Sequence, residues 1–154
     1  MDDYVKSWSE FEFEEGVLEA IAKFSGVFGR IFIVTNQQGI AKELMTEDDL
    51  QSVHQQMIRE IERASGRIDK IYFCPHWSKD NCACRKPRTG MALQAKADFP
   101  EIDFAKSLMV GDSPSDIEMG YKLRMKTIFI GAENAPPHTD WQFLNLKAWA
   151  DALT

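Results

Sequence analysis

Residues 107–116 read SLMVGDSPSD and carry the strongest indication of fold in the chain. Their first half, Ser107 to Gly111, is a short apolar run typical of a strand buried on both faces. A helix is predicted from about Pro114 to Leu123, after a short polar loop. Open α/β sheets bind ligands in the loops that follow the carboxyl ends of their strands. The stretch therefore predicts a parallel sheet and a place for a ligand.

The rest of the chain repeats this alternation of short apolar runs and longer helical ones. Further strands are predicted at Arg30–Thr35 (RIFIVT), Lys70–Cys74, Thr127–Ile130 and, with a weaker pattern, Trp141–Leu144. Helices are predicted at Glu14–Ser25, from Thr46 to about Ser65, at Gly90–Asp98 and at Lys147–Leu153. Such alternation favours an α/β fold with a largely parallel sheet flanked by helices. No linker or internal repeat interrupts it, so residues 1–154 are expected to form a single domain.

Two of the histidines lie outside the predicted strands. His54 falls within the long polar helix and is therefore expected to be solvated. His138 follows two prolines, and the sequence leaves open whether it lies at the surface or faces a substrate.

The composition excludes several classes of function. The chain has 154 residues, of which 44% are hydrophobic and 27% charged, as in a soluble globular protein. No signal peptide or membrane-length apolar run is evident, so we expect a cytoplasmic protein. A net charge of −6 argues against binding to nucleic acid or to an anionic membrane. It does not exclude a small anionic substrate, because a site can be locally positive on an acidic protein.

Side chains suited to a phosphate occur at two places. Thr35 and Asn36 end the RIFIVT strand and offer a hydroxyl and an amide that can hydrogen-bond phosphate oxygens. Arg85 and Lys86 precede the helix predicted at Gly90–Asp98; lysine is a compact charge, and arginine can bridge two oxygens. Ordinary explanations stay open for both places. Thr-Asn is common in turns, and lysine and arginine are common at surfaces.

Asp112 and Asp116 are the acidic residues of SLMVGDSPSD. Asp112 stands at the strand end, where a carboxylate can bind Mg²⁺ through oxygen. Asp116 lies four residues later, one helical turn on and on the same face. The alternative is that Asp116 or Ser113 caps the helix. The Gly-Asp pair at the end of so apolar a strand favours the metal-binding interpretation.

Taken in order, these motifs resemble those of the haloacid dehalogenase superfamily, in particular the subgroup of heptose bisphosphate and histidinol phosphate phosphatases. By this resemblance Thr35, in VTNQQGIA, matches a threonine that hydrogen-bonds the transferring phosphoryl group, and Asn36 resembles an amide that contacts substrate. Lys86, in CRKP, matches the lysine that steadies the phospho-acceptor carboxylate and the phosphate. Arg85 resembles a neighbouring phosphate contact.

The same resemblance assigns the metal. Asp112, in VGDSPSD, matches the family's Mg²⁺ ligand, and Asp116 matches the acid that usually supports it. The match extends from about Tyr4 to Gly131, which is most of the chain. It implies a Rossmann-like core without a large cap domain, and Mg²⁺-dependent hydrolysis of a small phosphorylated sugar through an aspartyl phosphate. Heptose bisphosphate is the first expectation for the substrate, and histidinol phosphate is the second.

Cys74, His76, Cys82 and Cys84 supply three thiolates and one imidazole, a complete tetrahedral set for Zn²⁺. Four protein ligands leave no open position, so this zinc would pin a loop and not activate water. Heptose bisphosphate phosphatases resemble this arrangement, with a zinc loop that ends at the phosphate-binding Arg-Lys pair. Thiols that simply pack are the alternative, whereas the absence of a Cys-x-x-Cys motif disfavours a redox role.

The sequence departs from the family in one respect. The family's first motif, Asp-x-Asp-Gly-Thr, carries the attacking aspartate and the acid–base aspartate, and no Asp-x-Asp-Gly occurs in these 154 residues. The chain is therefore expected to lack the first central strand and to be nearly inactive. Two explanations are open: a start at an internal methionine of a complete phosphatase, or a pseudoenzyme. A zinc-stabilised module that binds phosphate without reaction is the competing function.

The missing strand also bears on assembly. In this family it lies between the strands that end at Thr35 and Asp112, and without it both strands lose a partner. We expect these two strands to pair directly, or another chain to fill the gap.

Overall fold

The computed structural model describes residues 16–36, 47–74 and 86–153. The chain divides into two compact units, Met1–Asn81 and Cys82–Thr154. The expectation of a single domain stays a prediction. Among the described residues, no helix has the length and apolar character needed to cross a bilayer.

The first unit contains two helices and a two-stranded parallel sheet. Its elements are α1 (Val17–Val27), β1 (Phe32–Asn36), α2 (Glu47–Arg63) and β2 (Lys70–Cys74). The strands run in register, with Phe32 opposite Lys70 and Asn36 opposite Cys74. Helix α1 contacts α2. The buried apolar side chains of this unit are Ala20, Phe24, Val53, Ile61, Ile68, Tyr72 and Cys74.

A hydrogen-bonded network at the amino end of this sheet joins the turn before β1 to the turn before β2. The backbone N–H of Arg67 donates to Ser25 Oγ, and its guanidinium donates to the Ser25 carbonyl and to Asp69. Asp69 also accepts from the backbone N–H of Ile31 and from Arg30. Burial raises the pKa of Asp69, but these hydrogen bonds outweigh it and hold the pKa below its ordinary value.

The second unit contains a three-stranded sheet in which every recorded pairing is parallel. Its elements are α3 (Gly90–Asp98), β3 (Leu108–Gly111), α4 (Pro114–Lys122), β4 (Lys126–Ile130), β5 (Trp141–Phe143) and α5 (Leu146–Ala152). The strand order is β3-β4-β5, with Leu108 opposite Lys126 and Gly111 opposite Phe129. The buried apolar side chains are Met91, Ala92, Ala95, Met109, Ile117, Met119, Ile128, Phe129, Trp149 and Ala150.

Helix α4 packs closely on β3 and β4 because a glycine faces them. A Cβ atom on Gly120 would lie 2.6 Å from Met109 Cβ and 2.9 Å from Thr127 Cγ2. Both distances are shorter than van der Waals contact, so only glycine allows this approach.

The predicted α/β class with parallel strands is confirmed, and the predicted strands occur within one or two residues of the expected positions. The expectation for His54 is wrong. Its side chain is buried, and its ring lies edge-on to Phe73 with the ring centroids 6.0 Å apart. In the described residues β1 pairs with β2, and β3 pairs with β4. The predicted direct pairing of β1 with β3 is not found among them.

Candidate active site

The carboxyl end of β3 presents Asp112 to solvent. The strand ends at Gly111. Asp112 follows in the loop before α4 and is exposed to solvent. Within the described part of the chain, the Asp112 carboxylate has no recorded hydrogen bond or ion pair. An exposed carboxylate without a protein partner is suited to bind a divalent cation such as Mg²⁺ through oxygen.

Asp116 differs from Asp112 because it is buried, with 4% of its surface exposed. Its Oδ2 accepts hydrogen bonds from Ser113 N at 3.3 Å and from Ser113 Oγ at 3.0 Å. Its Oδ1 accepts from Lys86 Nζ at 2.5 Å. Both oxygens of Asp116 therefore have protein donors, and one carboxylate joins the start of α4 to a lysine 30 residues earlier in the chain.

The Lys86–Asp116 contact is a buried ion pair, with only 13% and 6% of the two side chains exposed. The stability of a protein is sensitive to the loss of either partner of such a pair, because the remaining charge is then held away from water. The pair fixes the position of the lysine ammonium group. A cation held in place in this way is suited to a phosphoryl oxygen or a carboxylate.

Gly111 makes this arrangement sterically possible. A Cβ atom at this position would lie 2.2 Å from Asp116 Oδ2, far inside van der Waals contact. The carboxylate of Asp116 thus rests against the backbone at the end of β3. Reasoning from sequence treated Gly111 only as the end of a strand, although a glycine directly before an acidic loop was a usable signal for close packing.

The residues predicted in the first unit lie at the carboxyl ends of its two strands. Thr35, which is partly buried, is opposite Phe73, and Asn36 is opposite Cys74 at the end of the ladder. The side chain of Asn36 is outside the described residues. Thr35 belongs to the first unit, whereas Lys86, Asp112 and Asp116 belong to the second. The structure brings together the last three at or near the end of β3.

The predicted zinc set is described only at Cys74. That side chain is fully buried at the end of β2. His76, Cys82, Cys84 and the phosphate ligand predicted at Arg85 lie outside the described residues. Over residues 16–36, 47–74 and 86–153 there is no group of three or more side chains able to hold a metal. The zinc assignment stays a prediction.

Comparison with known proteins places the chain in a family. A model described as HAD-hydrolase-like matches residues 83–143, which include Lys86, Asp112 and Asp116. The D-glycero-alpha-D-manno-heptose-1,7-bisphosphate 7-phosphatase of Campylobacter jejuni is 37% identical over 145 residues, which are 94% of this chain and 83% of the relative. The chain belongs to the haloacid dehalogenase-like phosphatases.

Further relatives agree on this family and on the subgroup. The D-glycero-beta-D-manno-heptose-1,7-bisphosphate 7-phosphatase of Helicobacter pylori strain J99 is 32% identical over 151 residues, 96% of this chain and 86% of its own. A crystal structure of the D,D-heptose 1,7-bisphosphate phosphatase of B. bronchiseptica, complexed with magnesium and phosphate, has a TM-score of 0.89. It is 30% identical, and the match covers 99% of this chain and 89% of the other. The predicted resemblance to heptose bisphosphate phosphatases is confirmed.

Proposed function

We propose that this chain provides the phosphate-binding part of a Mg²⁺-dependent phosphatase that removes the 7-phosphate of D-glycero-D-manno-heptose 1,7-bisphosphate. The proposal rests on one observation above all, the 37% identity over 94% of the chain to a phosphatase named for that substrate. The relatives reported above carry heptose bisphosphate and not histidinol phosphate in their names. The comparison therefore does not favour histidinol phosphate.

In this mechanism Lys86 holds a positive charge beside the phosphoryl group. Its ammonium group is placed by Asp116 at 2.5 Å, so it needs little reorganisation when negative charge develops on the phosphoryl oxygens. Thr35 and Asn36 hydrogen-bond those oxygens, and Arg85 adds a second cation. Preorganised donors and cations of this kind stabilise phosphoryl transfer mainly by electrostatics.

The donor set at the end of β3 fits magnesium. Asp112 would bind the ion, because its exposed carboxylate has no partner within the described residues. When bound, Mg²⁺ neutralises negative charge on the phosphoryl group. Asp116 was predicted as a supporting ligand, but the protein donors on both of its oxygens favour a role in holding Lys86.

The attacking aspartate belongs to a motif that the 154 residues do not contain. Attack by a carboxylate oxygen on phosphorus forms the aspartyl phosphate and breaks the bond to the sugar oxygen, which takes up a proton and leaves as an alcohol. Water then attacks the aspartyl phosphate, which releases inorganic phosphate and restores the carboxylate. Without this carboxylate, the remaining groups bind and polarise the phosphate but have no nucleophile to deliver. We therefore expect very slow turnover by the 154-residue chain alone, whichever explanation of the missing motif holds.

The test compares this chain with the same chain preceded by the Asp-x-Asp-Gly-Thr strand of the Campylobacter jejuni relative. Phosphate release is measured with Mg²⁺ on heptose bisphosphate and on histidinol phosphate. We expect activity only in the extended chain, a preference for heptose bisphosphate, and loss of activity in its Asp112→Asn variant. An extended, folded chain that hydrolyses neither substrate would support a non-catalytic phosphate-binding module. A preference for histidinol phosphate would overturn the substrate assignment.

We further propose that Cys74, His76, Cys82 and Cys84 bind one structural zinc ion. The support is the ligand chemistry together with the burial of Cys74 at the end of β2. Metal analysis of protein purified without chelator should give one zinc per chain, with loss of the metal in Cys82→Ser. The matched control is Ser52→Ala, at an exposed position of α2. Much less than one zinc per unsubstituted chain would contradict the assignment.

A further inference from the structure

A cleft of about 340 Å³ opens at the amino end of the sheet in the second unit. It lies where α4 ends and β4 begins, and residues 138–140, just before β5, form its other side. Because β3 and β4 are parallel with Leu108 opposite Lys126, the cleft and Asp112 lie at opposite ends of this sheet. Its volume falls within the range of small-molecule sites.

One wall of the cleft is a stacked pair of rings. The centroids of the Tyr121 and His138 rings are 3.6 Å apart, and the ring planes differ by 9°. Tyr121 is 52% exposed although it is a large aromatic residue, and His138 is exposed as well. Flat, accessible rings of this kind are suited to contact another planar ring.

Two cations line the same cleft. The side chains of Arg124 and Lys126 are exposed, and neither has a recorded hydrogen bond or ion pair with another residue of the described ranges. By contrast, the exposed lysines Lys122 and Lys147 each form an ion pair with an acidic residue four positions away on the same helix. Two cations in one cleft, on a chain of net charge −6, make a locally positive surface.

The acidic residue of the cleft, Asp140, is largely occupied by the fold. Its Oδ2 accepts from Thr127 N at 2.8 Å and lies 3.3 Å from Thr127 Oγ1, whose proton goes to the His138 carbonyl. Its Oδ1 has no recorded donor in the described part of the chain and can accept a hydrogen bond from a ligand. The cleft therefore combines ring contact, positive charge and one acceptor.

The walls are held in place without a ligand. Arg124 and His138 have φ of 61° and 71°, in a region that residues with side chains seldom occupy. Thr127 Oγ1 donates to the His138 carbonyl at 2.6 Å, and the N–H of Met125 donates to the Gly120 carbonyl at 2.9 Å. The left-handed conformation of Arg124 is the common one for the residue that follows a helix C-cap, and it fixes the chain between α4 and β4. A rigid site also loses less entropy when it binds.

We propose that this cleft binds a ligand of mononucleotide size, a planar ring that carries a phosphate. The ring stacks on the Tyr121–His138 pair, and the phosphate pairs with Arg124 and Lys126. An amino or hydroxyl group on the ligand donates to Asp140 Oδ1. The site is separate from the phosphatase function proposed above and does not depend on it.

The test is a titration of the 154-residue chain followed by the imidazole proton signals of its three histidines. The probes are AMP, adenosine and inorganic phosphate, and the His138→Asn variant identifies the His138 signal. AMP should shift that signal saturably, whereas adenosine and phosphate should each bind roughly tenfold more weakly or worse, since each lacks one of the two recognised groups.

Two variants remove the cations while the fold is kept. Arg124→Gly suits the positive φ at this position, and Lys126→Gln retains a long side chain on β4. Each should weaken AMP binding roughly tenfold, as expected for loss of one charge-assisted contact. Lys147→Gln on α5 is the matched control and should bind AMP as the unsubstituted chain does.

Three outcomes would overturn the proposal: no saturable shift of the His138 signal with AMP, an AMP affinity in both cation variants equal to that of the unsubstituted chain, or phosphate alone binding as tightly as AMP.

Discussion

Lys86 and Asp116 show how one buried contact organises the candidate site at the scale of residues. We expect Asp116→Ala to lower the free energy of unfolding by about 3–5 kcal/mol, because it removes the buried carboxylate that pairs with the Lys86 ammonium group. The exposed pair Lys147–Asp151 is the matched control. There Asp151→Ala should cost only about 0.5 kcal/mol, because water replaces the lost partner.

Urea unfolding of the two variants and of the unsubstituted chain measures this difference. Equal losses for Asp116→Ala and Asp151→Ala would mean that the Lys86–Asp116 pair is not buried in solution.

His54 provides a second prediction at this scale, concerning pH. Burial lowers the pKa of His54 below its ordinary value of 6.5, because the charged imidazole is disfavoured away from water. Between the two pKa values the unfolded chain holds a proton on this residue that the folded chain does not. The free energy of unfolding should therefore fall as the pH drops below about 6.5 and level off below the folded pKa.

The measurement is chemical unfolding at several pH values between 5 and 8. Substitution His54→Gln should remove part of the slope in this range, whereas Ser52→Ala at an exposed position of the same helix should retain it. A slope that is unchanged by His54→Gln would show that another group causes the pH dependence.

At the scale of elements, the contact between α4 and its sheet depends on the absence of a side chain. Gly120→Ala places a Cβ atom 2.6 Å from Met109 Cβ, so helix and strand must separate. We expect a loss of about 1–3 kcal/mol from this overpacking, in spite of the better helix propensity of alanine. Gly26→Ala in α1, where no atom lies within 4 Å, should instead stabilise the chain by about 0.5–1 kcal/mol.

Thermal or urea unfolding of both glycine variants tests the packing of α4. A Gly120→Ala variant as stable as Gly26→Ala would contradict the close approach of α4 to β3 and β4.

The sequence predicted the elements well because their signals are local. Short β-branched and apolar runs such as KIYFC appear as strands at the expected residues, and the helix at Gly90–Asp98 has the predicted bounds. The apolar run before the Gly-Asp pair also placed Asp112 directly after β3, where it lies in the structure. Periodicity and turn chemistry act over a few residues, so one sequence suffices to read them.

Contacts between distant residues could not be predicted in this way. The partner of Asp116 is Lys86, 30 residues away, and only the fold brings the two charges together. For His54 a local signal existed but was missed. Ile61, which is fully buried, lies seven residues later on the same face of α2, so His54 belongs to the buried stripe of a helix that is polar overall.

At the scale of the whole molecule, the prediction concerns how many copies of the chain associate. The sequence lacks the strand that carries Asp-x-Asp-Gly-Thr in this family, and a strand edge left unpaired can accept a strand of another chain. We predict that the 154-residue chain self-associates and that the chain extended by the Asp-x-Asp-Gly-Thr strand is monomeric. Light scattering at several concentrations measures this difference. A monomeric 154-residue chain would contradict gap filling by a second copy.

We propose that Lys86 and Asp112 act on the 7-phosphate of a heptose bisphosphate. The most direct test follows D-glycero-D-manno-heptose 1,7-bisphosphate by phosphorus NMR in the presence of Mg²⁺ and the extended chain. We expect the 7-phosphate signal to be replaced by the signal of inorganic phosphate while the 1-phosphate signal remains. The Lys86→Met variant should abolish this change. Release of the 1-phosphate, or unchanged release by Lys86→Met, would contradict it.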